Sequence, residues 1–152
     1  MTCTLKDKAV IITGAGQGIG EATAMLAGAL GARVLVNDIN AAAAARVAEA
    51  IGAAGGKAHA HAADISQWRT GQALVEACVA QFGKVDGLVN NAGLFLLSSL
   101  AQAREEDFAR TMSVNLIGAA ACAQAAAKHM LGRGRGAIVN IVSGAQCGML
   151  GL

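Results

Sequence analysis

Five short apolar runs, near residues 8–13, 32–37, 57–62, 85–90 and 136–142, alternate with stretches whose apolar residues recur at helical spacing. That alternation confines the chain to one architecture. Repeated strand-helix-strand units build a parallel sheet with helices on both faces, and strands covered on both faces read as continuous apolar runs. The spacing predicts helix faces made of Ile19, Thr23, Leu26 and Leu30, of Ala44, Val47, Ala48 and Ile51, and of Leu74, Ala77, Cys78 and Gln81. Gly31, Gly55, Gly56 and Gly83 fall where these helices should stop, supplying the residue that tolerates a left-handed cap. A longer helical stretch runs from about Glu105 to Met130, with Glu105, Glu106 and Asp107 at its start and Lys128 and His129 near its end, as the helix dipole favours. Its small residues Ala119, Ala120, Ala123, Ala126 and Ala127 would let its own sheet, or a second subunit, approach closely.

At 152 residues, the expectation is a single domain over 1–152. The hydrophobic fraction of 55% against 14% charged is accounted for by alanine-rich helices and doubly covered strands. Two stretches, 111–127 and 136–152, carry no charge, yet Asn115, Gly118 and Gln124 in the first and four glycines in the second make poor membrane spans. No secretory signal fits, because strand-like sequence begins within ten residues of Met1. The net charge of +2 is too small and scattered for a nucleic-acid surface, and Arg133 and Arg135, beside glycines, read as a solvated loop. Cys3, Cys78, Cys122 and Cys147 form no C-x-x-C pair, so reduced thiols and a cytoplasmic location are expected. His59 and His61 share a strand face without a third ligand at useful spacing, and no metal site is expected.

The first chemistry is stated by Thr13-Gly14-Ala15-Gly16-Gln17-Gly18-Ile19-Gly20, directly after the run Ala9-Val10-Ile11-Ile12. A buried strand stops, the chain turns, and a helix begins with free backbone N–H groups aimed at a bound pyrophosphate. Gly14 can take backbone angles closed to other residues, while Gly18 and Gly20 permit close approach of phosphate and of the neighbouring strand. The order is G-x-x-x-G-x-G rather than G-x-G-x-x-G. Asp38 ends the second strand eighteen residues after Gly20, where an acidic side chain accepts hydrogen bonds from the adenosine ribose hydroxyls. A carboxylate there repels a 2′-phosphate, and neither Gln17 nor Ile39 offers a compensating cation, so NAD(H) is expected over NADP(H).

With Asn90-Asn91-Ala92-Gly93 at the end of the fourth strand, the whole chain resembles the short-chain dehydrogenase/reductase family. The resemblance implies a Rossmann-type doubly wound parallel sheet, truncated after the fifth strand. It implies that Gly14, Gln17, Gly18 and Ile19 hold the pyrophosphate, Asp38 the ribose, and Asp64 and Ile65 the adenine. The segment from Asn90 through Asn91 and Ala92 to Gly93 would steady the central sheet and line the cofactor. Asn115, within Met112-Ser113-Val114-Asn115-Leu116, is similar to the asparagine that holds a proton-relay water, and Ser143 to the serine that hydrogen-bonds the substrate oxygen.

The family's general acid/base is a tyrosine about thirteen residues beyond that serine, followed four residues later by a lysine on the same helical face. This sequence contains no tyrosine and runs to Leu152. The 152 residues are therefore expected to supply the binding half of the chemistry and not to turn over alone, the parent protein being an NAD-dependent oxidoreductase acting on a secondary alcohol or ketone. A non-catalytic NAD-binding module and a structural subunit are the alternatives. His129 reads as a surface helix-end residue, and Cys147 as an apolar contact near Ser143. The run Leu94-Phe95-Leu96-Leu97 favours a hydrophobic substrate, the fifth strand's outer side is expected to be exposed, and the family implies a homodimer or homotetramer.

Overall fold

The computed structural model describes residues 4–95 and 101–143; Cys3, Leu96, Leu97 and Cys147 lie outside them. Every expected strand is present: β1 (Ala9–Ile12), β2 (Arg33–Asp38), β3 (Lys57–Ala62), β4 (Gly87–Asn90) and β5 (Ala137–Asn140). They form one parallel sheet in the order β3-β2-β1-β4-β5. The helices are α1 (Gly18–Ala29), α2 (Ala41–Ala53), α3 (Trp68–Phe82), α4 (Glu105–Met112) and α5 (Ala119–Leu131). The sheet is built outward from β1 in both directions. A crevice must therefore open at the carboxyl ends of β1, β2 and β4, where successive connections leave on opposite faces.

Alternation along β1 divides the core into two. Val10 and Ile12 join Val34 and Val36 beneath α1 and α2, while Ile11 joins Leu35 and Leu88 beneath α3 and α5. The expected face of α2 packs as read, with Ala44, Val47 and Ile51 buried. That of α3 is correct at Leu74 and Cys78, but Gln81 is exposed and Thr70, Gly71 and Val75 are buried instead.

Helix α1 departs from its predicted face. It buries Gly20, Ala24, Ala27 and Gly28, whereas Ile19 and Leu26 are 66% and 62% exposed. Close packing decides this, because a Cβ on Gly28 would lie 2.7 Å from the Ile51 Cγ2. Only small residues permit that separation of α1 from α2. The same holds between α3 and α5, where a Cβ on Gly71 would come within 2.5 Å of the Ala121 carbonyl oxygen. The inward residues of α5 are Ala121, Cys122, Ala125, Ala126 and Met130, so of the five alanines singled out above only Ala126 is fully buried. Burial pushes the thiols of Cys78 and Cys122 up to about 12 and about 11, which keeps both protonated and unreactive.

The other end of the sheet is tied by Asp86. Its carboxylate accepts the Ala9 N–H at 3.0 Å and pairs with Lys84 at 2.8 Å and Arg133 at 3.3 Å, while its carbonyl accepts from Ala137. One residue thereby fixes the starts of β1, β4 and β5. Arg133 also donates to the Val85 carbonyl, and His129 accepts the Val85 N–H through Nε2 at 3.2 Å. Neither is the solvated surface residue that its flanking glycines or helix-end position suggested. On the far side, Val139 and Val142 of the β5 segment are 49% and 76% exposed, as are large parts of Phe108, Leu116 and Ile117.

Two outcomes follow from this packing. Gly71→Ala must force α3 and α5 apart, and should lower unfolding stability by about 2 kcal/mol in urea titration. Burial pushes the Asp86 carboxyl up, but the bonds from Lys84 and Ala9 and the charges of Lys84 and Arg133 outweigh it and hold the pKa at about 2. Because the folded value is depressed, the stabilisation is complete above about pH 4 and fades as pH falls toward 2. Asp86→Asn should cost about 2 kcal/mol at neutral pH and little near pH 2, read from denaturation midpoints across that range.

Candidate functional site

Residues 13–20 leave β1, cross its carboxyl end and enter α1. Gly14 and Gly18 hold φ of +60° and +56°, the left-handed region that disfavours a Cβ. Gly20 carries a different constraint, since a Cβ there would collide with the Gly14 carbonyl and the Asn91 amide. The turn is held against β4 by side chains. Thr13 Oγ1 accepts the N–H groups of Asn91 and Ala92, each at 3.1 Å, and Asn91 Nδ2 donates to the carbonyls of Thr13 and Gly14 at 3.0 Å. Gln17, at the head of α1, makes no side-chain cap, leaving the helix's first turn to offer its N–H groups outward.

Across the turn stands Asp38. Its Oδ2 accepts the Gly16 N–H and its Oδ1 the Asn40 N–H, both at 2.9 Å. This carboxylate is fixed before any ligand arrives. Gly16, read only as part of the turn, proves to be the residue packed on Asp38 and Ala43, with no room for a Cβ. Asn37 braces the same edge, donating to the carbonyls of His61 and Ala63 while its own carbonyl accepts from Ala15.

The crevice between these parts has a volume of about 600 Å³. It is lined by Gly14, Gln17, Gly18, Ile19, Asp38, Asp64, Ile65, Ala92 and Gly93 among the predicted residues. Asn91, from the segment expected to line the cofactor, and Leu94, from the apolar run expected to favour the substrate, line it too, as do Asn37, Arg110 and Val114, which no motif indicates. Asp64 is anchored by its own loop, its Oδ1 accepting from Ser66 and its carbonyl from the Thr70 hydroxyl. Ile65 packs beneath Gly118, where a Cβ would approach its carbonyl oxygen to 2.5 Å.

Asn90 does not line the crevice. It is buried, and its amide donates to the Ala119 carbonyl and Asn140 Oδ1, joining β4 to α5 and β5. The pairing gives each asparagine a separate duty, because successive side chains of a strand point to opposite sides.

Asn115 lies in a π-helical turn, Ser113–Gly118, where sequence periodicity predicted unbroken α-helix. Its Oδ1 accepts the Leu94 N–H at 2.7 Å and its Nδ2 donates to the Leu94 carbonyl at 2.9 Å. The side chain thus pins the segment after β4 to the helix. Such a turn is a frequent mark of a functional position. Ser143 follows β5, three residues past Asn140, which pairs in register with Asn90. It therefore emerges at the same end of the sheet as Gly93. Among the described residues no three His, Cys, Asp or Glu side chains group to hold a metal, and no helix is long and apolar enough to cross a membrane.

The geometry fits a dinucleotide: two left-handed glycines at a helix head, a crevice of suitable size, and a fixed carboxylate at its rim. Comparison with known proteins agrees. The short chain dehydrogenase family model matches residues 8–149. An uncharacterized oxidoreductase of Methylorubrum extorquens is 46% identical over 140 residues, which cover 91% of this chain and 56% of that protein. An L-rhamnose 1-dehydrogenase (NAD(P)(+)) of Azotobacter vinelandii is 43% identical over 143 residues, covering 91% of this chain and 56% of the relative. The solved structure of a 7α-hydroxysteroid dehydrogenase complexed with NADH and 7-oxo glycochenodeoxycholic acid superposes with a TM-score of 0.91 at 38% identity, over 96% of this chain and 57% of that one. The chain thus spans little more than half the length of these relatives. On its fold, its glycine turn and these matches, the chain belongs to the short-chain dehydrogenase family.

Proposed function

We propose that the whole protein is an NAD-preferring oxidoreductase moving a hydride between the nicotinamide and a secondary alcohol or ketone, with 1–152 as its dinucleotide-binding unit. The observation that carries this reading is the Asp38 carboxylate, held by two backbone N–H groups at the rim of the crevice. Those bonds leave the outward lone pairs aimed for ribose hydroxyls, and they deny the carboxylate any retreat from a 2′-phosphate. Gly14, Gln17, Gly18 and Ile19 hold the pyrophosphate against the head of α1, and Asp64 and Ile65 the adenine. The bound nicotinamide supplies the hydride acceptor or donor.

Ala92 and Gly93 carry the cofactor's other half, and Asn90 holds β4 and β5 in the register that sets their spacing. Ser143 hydrogen-bonds the substrate oxygen. With the Asn115 side chain engaged by Leu94, the main chain of the π-helical turn is left to hold the relay water. Leu94, lining the crevice, and the exposed Phe95 favour an apolar substrate body. The protein acts in the cytoplasm as a homodimer or homotetramer, without nucleic-acid or membrane partners.

Calorimetric titration with NAD and NADP tests the cofactor reading. NAD should bind more tightly than NADP, and Asp38→Ala should weaken NAD at least about tenfold by removing charge-assisted hydrogen bonds to the ribose. Tighter NADP binding by the unaltered chain would overturn it.

A further inference from the structure

Gly16 is held from both sides. Its N–H donates to Asp38 Oδ2, and its carbonyl accepts from Arg46 Nη2, again at 2.9 Å. The sequence offered no cation beside Asp38 at Gln17 or Ile39. The fold brings one from α2, a helical turn beyond Ala43, whose Cβ already packs on Gly16. That guanidinium is not free. Both of its outer nitrogens bond Glu21 on α1, Nη1 to Oε1 and Nη2 to Oε2, each at 2.7 Å, and this pairing holds the Glu21 carboxyl below the usual range.

We propose that Arg46 and Glu21 are specificity-determining residues, which set through Gly16 how strongly the Asp38 end of the crevice rejects a 2′-phosphate. The proposal rests on the dinucleotide reading above. Asp38 and Glu21 each bring one negative charge to this corner and Arg46 one positive charge. The corner is therefore net negative, and a 2′-phosphate adds further negative charge, whereas a ribose hydroxyl adds none. Glu21 strengthens the rejection by cancelling Arg46, and Arg46 moderates it. Neither residue touches the ribose hydroxyls, so their effect falls on the choice between cofactors rather than on NAD itself.

The two residues must then act in opposite senses. In calorimetric titrations of the full chain with NAD and NADP at low salt, Glu21→Gln should tighten NADP about fivefold relative to NAD, and Arg46→Ala should weaken it relatively by a similar factor. Arg46→Lys, which keeps the charge without the fork, should leave the ratio near that of the unaltered chain. Both shifts should shrink as salt is raised, because the Arg46 side chain is 56% exposed. Melting temperatures without nucleotide identify any variant that fails to fold, and Arg46→Lys and Glu21→Gln, being near-isosteric or charge-conserving, then carry the comparison. Equal changes in NAD and NADP affinity for every variant would overturn the proposal and leave the pair as scaffold. Failure of the unaltered chain to bind either nucleotide would overturn the dinucleotide reading itself, and this inference with it.

Discussion

The clasp between the ends of β1 and β4 is the contact on which the rest of the site depends. Thr13 receives two backbone N–H groups from the β4 end, and Asn91 returns two hydrogen bonds to the glycine turn. These groups are part-buried, so leaving any one unsatisfied costs more than the bond's net worth in water. The clasp sets how far the turn can move from Ala92 and Gly93, and so fixes the width of the crevice. It also explains Gly14, since a Cβ there would lie 2.7 Å from the Ala92 Cα.

Close approach is the theme of the whole packing. Glycine and alanine at Gly20, Ala24, Gly28, Gly71 and Ala121 let helices sit low on the sheet and on one another. The low charge content is a consequence, because short side chains leave little space to fill and strands are covered on both faces. The opposite end of the sheet is tied by charge instead, through Asp86, Lys84 and Arg133. The molecule is thus pinned electrostatically at the amino ends of its strands and left open at the carboxyl ends, where the site lies.

Much of this was legible in the sequence. Five strands, their order along the chain, the helix-ending glycines and the glycine turn all rest on local chemistry, and local chemistry is what a sequence displays. Gly31, Gly55 and Gly83 do take positive φ, as their positions implied. The face of α1 was misread because hydrophobicity pointed to Ile19 and Leu26, while the distance between helices demanded Gly20 and Ala24. Arg46, Arg133 and His129 were missed for a related reason. Each acts on a residue more than twenty-five positions away in the chain, and no local spacing announces such a partner. The π-helical turn at Asn115 was equally invisible, since it changes hydrogen-bond register without changing composition.

On the proposed reading a dinucleotide lies across the carboxyl ends of β1, β2 and β4, its pyrophosphate on the glycine turn and its adenosine ribose at Asp38. The deciding measurement is a crystal structure of the chain grown with NADH. Electron density is expected for the pyrophosphate against the N–H groups at the head of α1, with the ribose hydroxyls within hydrogen-bond distance of the Asp38 carboxylate. Nucleotide density elsewhere on the molecule, or a crevice without it at saturating NADH, would overturn that placement.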